Sequence, residues 1–498
     1  MDQISRMTHL FKDARNIKDN PWIRGWQPPF VHMDVAGGQL HSKGEDEMWT
    51  MARRLSSRFP SLLETPYLPH RFPVISSQVH RAAASASAFT SGFFPAEDVG
   101  SGIREESAVT KGANNNNSSS CPERRPQAVA LSMAPKHADP LLRFYAMCPA
   151  YAQREVWLET WLPGWMEEQW AKLAPALQER LGLTRTMTPS EVEDIWQLCQ
   201  FEAGVEGITS QACSLLSQSD VRLLEWVEDV HLIESHGYGS PINYNIAAPL
   251  LHNLRSALKG AAESAAASSS GQPDTHVHLL FAHCETLVPL ATLLGLFKPD
   301  TEQPLPAATP VPTDGQVPPP RLARKSLADL DVIEDLAHAM RHDGIHQVQA
   351  PVADEGRAWV PQGWRPLVAQ DDEGRSFRGS AVSPFGANLG LVLYKRKAEG
   401  ANTGSSSSAY KVRLTYNEQV LPIPGCSSSS SSSSNRSSGR NIREQEENGD
   451  APDCDLDEFL EITSAAAAQG LDALCEVGGN EVATTGSEAF VGAGAPAS

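Results

Sequence analysis

Leu279-Leu-Phe-Ala-His-Cys-Glu-Thr-Leu287 is the stretch that decides how this chain folds. Its apolar run closes on His283, leaves one residue before Glu285, and resumes as Val288-Pro-Leu-Ala-Thr-Leu-Leu-Gly-Leu-Phe297. A short apolar run followed by a longer one reads as a buried strand feeding a helix. A histidine and a carboxylic acid then stand at the junction, and ligands bind at the carboxyl ends of strands in open α/β sheets. A group able to carry positive charge beside a proton donor suits the handling of phosphate esters. Taken alone, such a pair is more often structural than catalytic.

A second junction of the same kind lies upstream. Phe72-Pro-Val-Ile-Ser76 reads as a strand and Ala82–Phe94 as a helix, with Ser76-Ser-Gln-Val-His-Arg81 between them. This places Arg81 where another strand end could meet His283. Arginine presents a planar fork of donors that matches phosphate oxygens, although by itself Arg81 reads as a solvated residue at a helix start. Ile4, Met7, Leu10 and Phe11 recur at helical spacing, as do Met48, Met51, Leu55 and Phe59, and Ile246, Leu250, Leu254 and Leu258. Further strands are expected at His276–Ala282, Leu389–Tyr394 and Tyr410–Tyr416, the last ending in a turn at Asn417-Glu418. Strands alternating with helices imply a sheet covered on both faces.

Composition narrows the function classes. The net charge is −19 and the pI about 5.2, which argues against a nucleic-acid partner. An anionic small molecule remains compatible, because a local arginine cluster can dominate the field in a cleft. No apolar run in the sequence reaches the ~20 residues of a membrane span, and the first twenty residues carry no secretory signal pattern. The eight cysteines, at 121, 148, 199, 213, 284, 426, 454 and 475, lack the short paired spacing of a zinc site, so no metal is expected. Wide spacing fits scattered disulfides or buried thiols, with free core residues as the default.

Low-complexity stretches interrupt the pattern. They comprise residues 95–135, with Asn114-Asn-Asn-Asn117, then 260–274, 298–325 with Val317-Pro-Pro-Pro320, and 400–450 with the serine run 427–434. The Ala/Gly-rich tail 464–498 completes the set. Such compositions bury too little apolar area to offset chain entropy and are expected to be disordered. What remains is an α/β domain from residues 1–94 and 236–460 with an all-helical domain at 139–235.

The chain resembles the histidine acid phosphatase superfamily, and within it the multiple inositol polyphosphate phosphatases. His283-Cys-Glu285 is similar to the family's His-Ala-Glu motif, with Cys284 in the alanine position. Ser76–Arg81 with Ser85-Ala-Ser-Ala-Phe89 resembles its Ser-Ser-x-x-Arg segment. Asp139-Pro-Leu-Leu-Arg-Phe144 with Cys148, Gly237-Tyr-Gly239 with Asn243, and Asn417-Glu418 with Pro422 extend the match. The resemblance implies a phosphoglycerate-mutase-like sheet and hydrolysis of phytate and other inositol polyphosphates through a phosphohistidine, without cofactor or metal. Glu285 would be the proton donor, His283 would bind phosphate, and Arg81 would clamp it. It also implies a Cys426–Cys454 disulfide, passage through the secretory pathway and a monomer.

The family's attacking histidine stands in an Arg-His-Gly-x-Arg-x-Pro motif at the end of the first strand, expected several dozen residues before Gly38, and no such motif occurs in this sequence. Arg341-His-Asp-Gly344 is misplaced and lacks the second arginine and the proline. Two expectations follow: Met1 is internal to a longer product, or the chain is a pseudophosphatase that binds inositol phosphates without hydrolysing them. The first is favoured, because deleting a central strand leaves backbone groups unpaired inside the sheet. Either way, the chain as written is expected to be inactive.

Overall fold

The computed structural model describes residues 3–28, 38–64, 67–94, 127–269, 273–299, 364–370, 375–395, 409–427 and 453–476, with residues 271, 360 and 361 and the backbone of 97–98 and 124–125. The rejected Arg341–Gly344 candidate, Cys121 and the remaining parts of the low-complexity stretches lie outside these residues.

Helix α1 (Gln3–Asp13) buries Met7, Leu10 and Phe11, and α2 (Ser42–Arg58) buries Met51 and Ala52. Strand β1 (Val74–Ser76) leads into α3 (His80–Phe93). A two-residue ladder, β2 (Glu97–Asp98) with β3 (Arg124–Arg125), precedes β4 (Leu131–Ser132). Five helices follow: α4 (Pro149–Glu159), α5 (Leu162–Ala171), α6 (Ala174–Leu181), α7 (Pro189–Phe201) and α8 (Gln218–His236). Pro189 at the start of α7 and reciprocal caps at Thr188/Glu191 and Ser217/Asp220 fix where α7 and α8 begin. The short α9 (Pro241–Asn245) and the long α10 (Ala248–Ala267) return the chain to β5 (Leu279–Phe281) and α11 (Cys284–Leu293).

Among the described residues the strands fall into two main sheets. In the first, β1 lies between β4 and β5, and all three run parallel. In the second, β6 (Leu389–Lys395), β7 (Tyr410–Tyr416) and β8 (Gln419–Leu421) run antiparallel, and β9 (Cys454–Asp455) pairs with β7. Asn417 and Glu418 form the hairpin tip with φ of 48° and 64°, the left-handed geometry a two-residue β-turn requires. Glu418 is held there by the guanidinium of Arg54, whose Nε donates at 2.9 Å, and by Arg58 donating to its carbonyl.

Three apolar cores hold these layers together. The first is helical and rich in tryptophan: Trp161, 1 % exposed, meets Trp157 and Trp364 edge to face, and Trp165 meets Trp226 and Trp364 in the same way. The second lies between α10, α11 and the antiparallel sheet, and the third between α2, α3, Phe72 and β5. Strand β5 serves both of the latter, with Leu280 packed toward the second core and Leu279 and Phe281 toward the third. Helices thus cover both faces of the parallel sheet, as α/β packing demands.

Several expected boundaries are corrected. Helix α1 packs into the helical core rather than the α/β part: Arg6 pairs with Asp194 of α7, and the backbone N–H groups of Arg15 and Asn16 both donate to Leu181. Strand β4 falls within the stretch 95–135 read as disordered, and β7 within 400–450. Helix α10 runs to Ala267, into the stretch 260–274, because alanine is the strongest helix former. Short helices at Ser464–Ala467 and Leu471–Cys475 occupy the beginning of the expected disordered tail, where Ala467, Leu474 and Cys475 are buried.

Cys426 and Cys454 are disulfide-bonded, as the resemblance implied. Two further bonds, Cys148–Cys475 and Cys199–Cys213, overturn the default of free core thiols. Among the described residues Cys284 is the free cysteine, and it is exposed.

Candidate active site

The parallel register brings the two sequence junctions together. Ser76 is the Cα partner of Phe281, so the turn after β1 and the turn after β5 leave the sheet side by side. The N–H of Ser77 continues the ladder by donating to the Phe281 carbonyl at 3.0 Å. Beyond it, the Ser77 hydroxyl lies 2.8 Å from Nε2 of His283. Ser77 is fully buried and His283 half-buried.

His283 occupies the N-cap position of α11, and its carbonyl accepts from the N–H groups of Thr286 and Leu287. Glu285 follows in the first turn and is 8 % exposed. Pro289 has no N–H to give to the Glu285 carbonyl one turn earlier. The Cys284 thiol donates to Oε2 of Glu285 at 2.9 Å. Arg81 lies in the first turn of α3, half-buried. Its guanidinium approaches Gly38, whose φ of +87° suits glycine: a β-carbon there would stand 3.7 Å from Arg81 Nη1.

Opposing effects set the charge of Glu285. Burial alone would push its carboxyl up, but His236, His283, the Cys284 thiol and a backbone N–H outweigh it. The net result lies below the ordinary glutamate value.

Four residues of this neighbourhood escaped sequence reasoning as site residues. His236 ends α8, and its Nδ1 is 2.8 Å from the Tyr151 hydroxyl of α4. Burial holds its imidazole down to about 4, with Glu285 pulling upward and His231 opposing it. Tyr145 is pushed well above its ordinary value by burial and by the charge of Glu285, while Arg143 and Arg81 act against the shift. Arg143, 1 % exposed, lies over the Tyr145 ring and donates through Nε to the Lys136 carbonyl. Arg143 and His236 sit in or beside segments that carried the family resemblance. Tyr145 follows one of these segments directly, while Tyr151 had no such signal.

A fold of this topology, with an arginine, a histidine and an acid gathered at the ends of two parallel strands, defines a class before it defines a protein. The family model of the histidine phosphatase superfamily (branch 2) matches residues 6–320, and the chain belongs to that superfamily. It is 26 % identical over 408 residues to multiple inositol polyphosphate phosphatase 1 of Homo sapiens, covering 79 % of this chain and 64 % of that protein. The protein of the same name from Gallus gallus is 26 % identical over 269 residues, 52 % of each chain. The chain thus spans less than two thirds of the length of these relatives. A phytase from D. castellii superposes with a TM-score of 0.51 at 11 % identity, covering 95 % of this chain and 77 % of that one, which shows a shared fold. The expected α/β class with a helical region is borne out.

Proposed function

We propose that this chain carries the phosphate-binding and leaving-group half of a phosphomonoesterase site for inositol polyphosphates. The single observation behind this reading is the convergence of Arg81, His283 and Glu285 at one end of a parallel sheet, in a member of a phosphatase superfamily. Arg81 and His283 clamp equatorial phosphate oxygens, where charge gathers in the transition state. Glu285 protonates the departing alkoxide. A bound phosphate brings negative charge next to Glu285, raises its proton affinity and so arms it as an acid.

We place the family's attacking histidine on a further strand beside β5, and no Arg-His-Gly motif occurs in this sequence. Two edges support the reading. Strands β5 and β6 are apolar along their length yet only half-buried, and each ends its sheet among the described residues. Strands apolar on both faces belong in a sheet's interior. A further strand paired with β5 would cover its open edge and deliver a nucleophile beside His283. The second reading, a pseudophosphatase that binds without hydrolysis, is favoured by the absence of any Arg-His-Gly motif from the sequence itself. Three disulfides support passage through an oxidising compartment; we further propose that the protein is monomeric and needs no metal.

An assay of the chain with phytate is expected to yield no phosphate, and clear release would overturn the incomplete-site reading. Supplying an N-terminal strand with Arg-His-Gly-x-Arg-x-Pro is expected to restore turnover, which Glu285→Gln should then cut by roughly 10²–10⁴-fold. If the completed protein stays inactive yet holds inositol hexakisphosphate, the pseudophosphatase reading stands instead. Calorimetry of that binding near pH 5 in buffers of different ionisation enthalpy should register proton uptake by Glu285. Binding without proton exchange would remove Glu285 from the site.

A further inference from the structure

We infer that Ser77 is a positioning residue that fixes the ring of His283, a role that goes beyond the proposed function and rests on it only for the phosphate. The pairing of β1 with β5 brings the two segments that follow them together. Ser76 lies opposite Phe281, the Ser77 N–H donates to the Phe281 carbonyl, and just beyond these paired residues the Ser77 side chain comes to the ring of His283. The hydroxyl then meets Nε2 at 2.8 Å. Ser77 is fully buried, so bulk water does not compete for that hydroxyl.

The chemistry of a hydroxyl suits the task. A phosphate-binding imidazole must present a donor at the nitrogen facing the ligand. With Nε2 engaged by Ser77, that nitrogen is Nδ1. In the neutral ring, Ser77 donates to Nε2 and holds the proton on Nδ1; in the cationic ring, Nε2–H donates to Ser77 and Nδ1–H remains a donor. A serine hydroxyl serves both states because it can give or accept. Alanine can do neither, and the neutral ring would then distribute its proton between the two nitrogens.

Long-range ¹H–¹⁵N correlation spectra of the full chain above pH 8 read the tautomer directly, with His283→Gln assigning the resonances. His283 is expected to show one tautomer in the parent protein and a mixture in Ser77→Ala. Ser77→Thr should keep the parent pattern, while Ser77→Val, of equal volume, should lose it. This pair separates the hydroxyl from packing should the alanine variant fold poorly. Inorganic phosphate, used as the probe, is expected to bind about tenfold more weakly to Ser77→Ala, the loss of one charge-assisted hydrogen bond. Unchanged ring resonances in Ser77→Ala, or identical spectra for the threonine and valine variants, would overturn the inference. If the resonances move as expected but phosphate binds none of the proteins, the positioning role stands and the phosphatase reading fails.

Discussion

The helical region and the parallel sheet were built under different constraints. The helical region closes on itself: its tryptophans interlock, its helix starts are capped, Cys199–Cys213 ties α7 to the following turn, and Asp194 and Glu234 are buried with arginine partners. The parallel sheet has strands of two or three residues and one apolar strand, β5, left half-buried at its edge. The first region is built for stability, and the second bears the residues proposed above for chemistry. A site assembled at strand ends needs open edges and converging turns, and these are what a well-packed core removes.

Truncating Trp161 should cost most, about 3–5 kcal/mol in a denaturant titration, because no neighbouring side chain can collapse into so large a void. A loss below 1 kcal/mol would show that the helical core is looser than its burial implies. Acid should act next, through His236 at the seam between the two regions. Its folded-state imidazole titrates at about 4, below the ordinary 6.5, so the unfolded chain binds more protons between those values. Stability should therefore fall as pH drops from 6.5 toward 4, by roughly 1–3 kcal/mol, and His236→Gln should flatten that slope. Leu280→Ala on β5 should cost least, about 1 kcal/mol, since the side chain is only half-buried. If it matches Trp161→Ala, the sheet edge is as complete as the helical core and the comparison collapses.

The sequence revealed periodic elements and missed those that exist only through a partner. Strand β5 and helix α11 were legible in Leu279–Phe297 because their apolar runs are long and distinct. Strand β4 was not, since two residues carry no period and acquire strand character only by pairing with β1. The periodicity of α1 announced a helix but not the tryptophan-rich core it joins. Arg81, His283 and Glu285 could be picked out through resemblance, whereas Ser77 could not, because its contact depends on a register between strands some two hundred residues apart. Cys148–Cys475, whose partners are 327 positions apart in the sequence, leaves no local trace at all.

That last bond has a consequence for how the protein would age in a protease-rich setting. The ring it closes encloses both the proline cluster at 317–320 and the serine run at 427–434. A cut in either stretch would nick the chain without releasing a piece of it. The severed halves would migrate as one band on a gel until a reductant was added, and the strand ends bearing His283 and Arg81 would stay tethered through the wound.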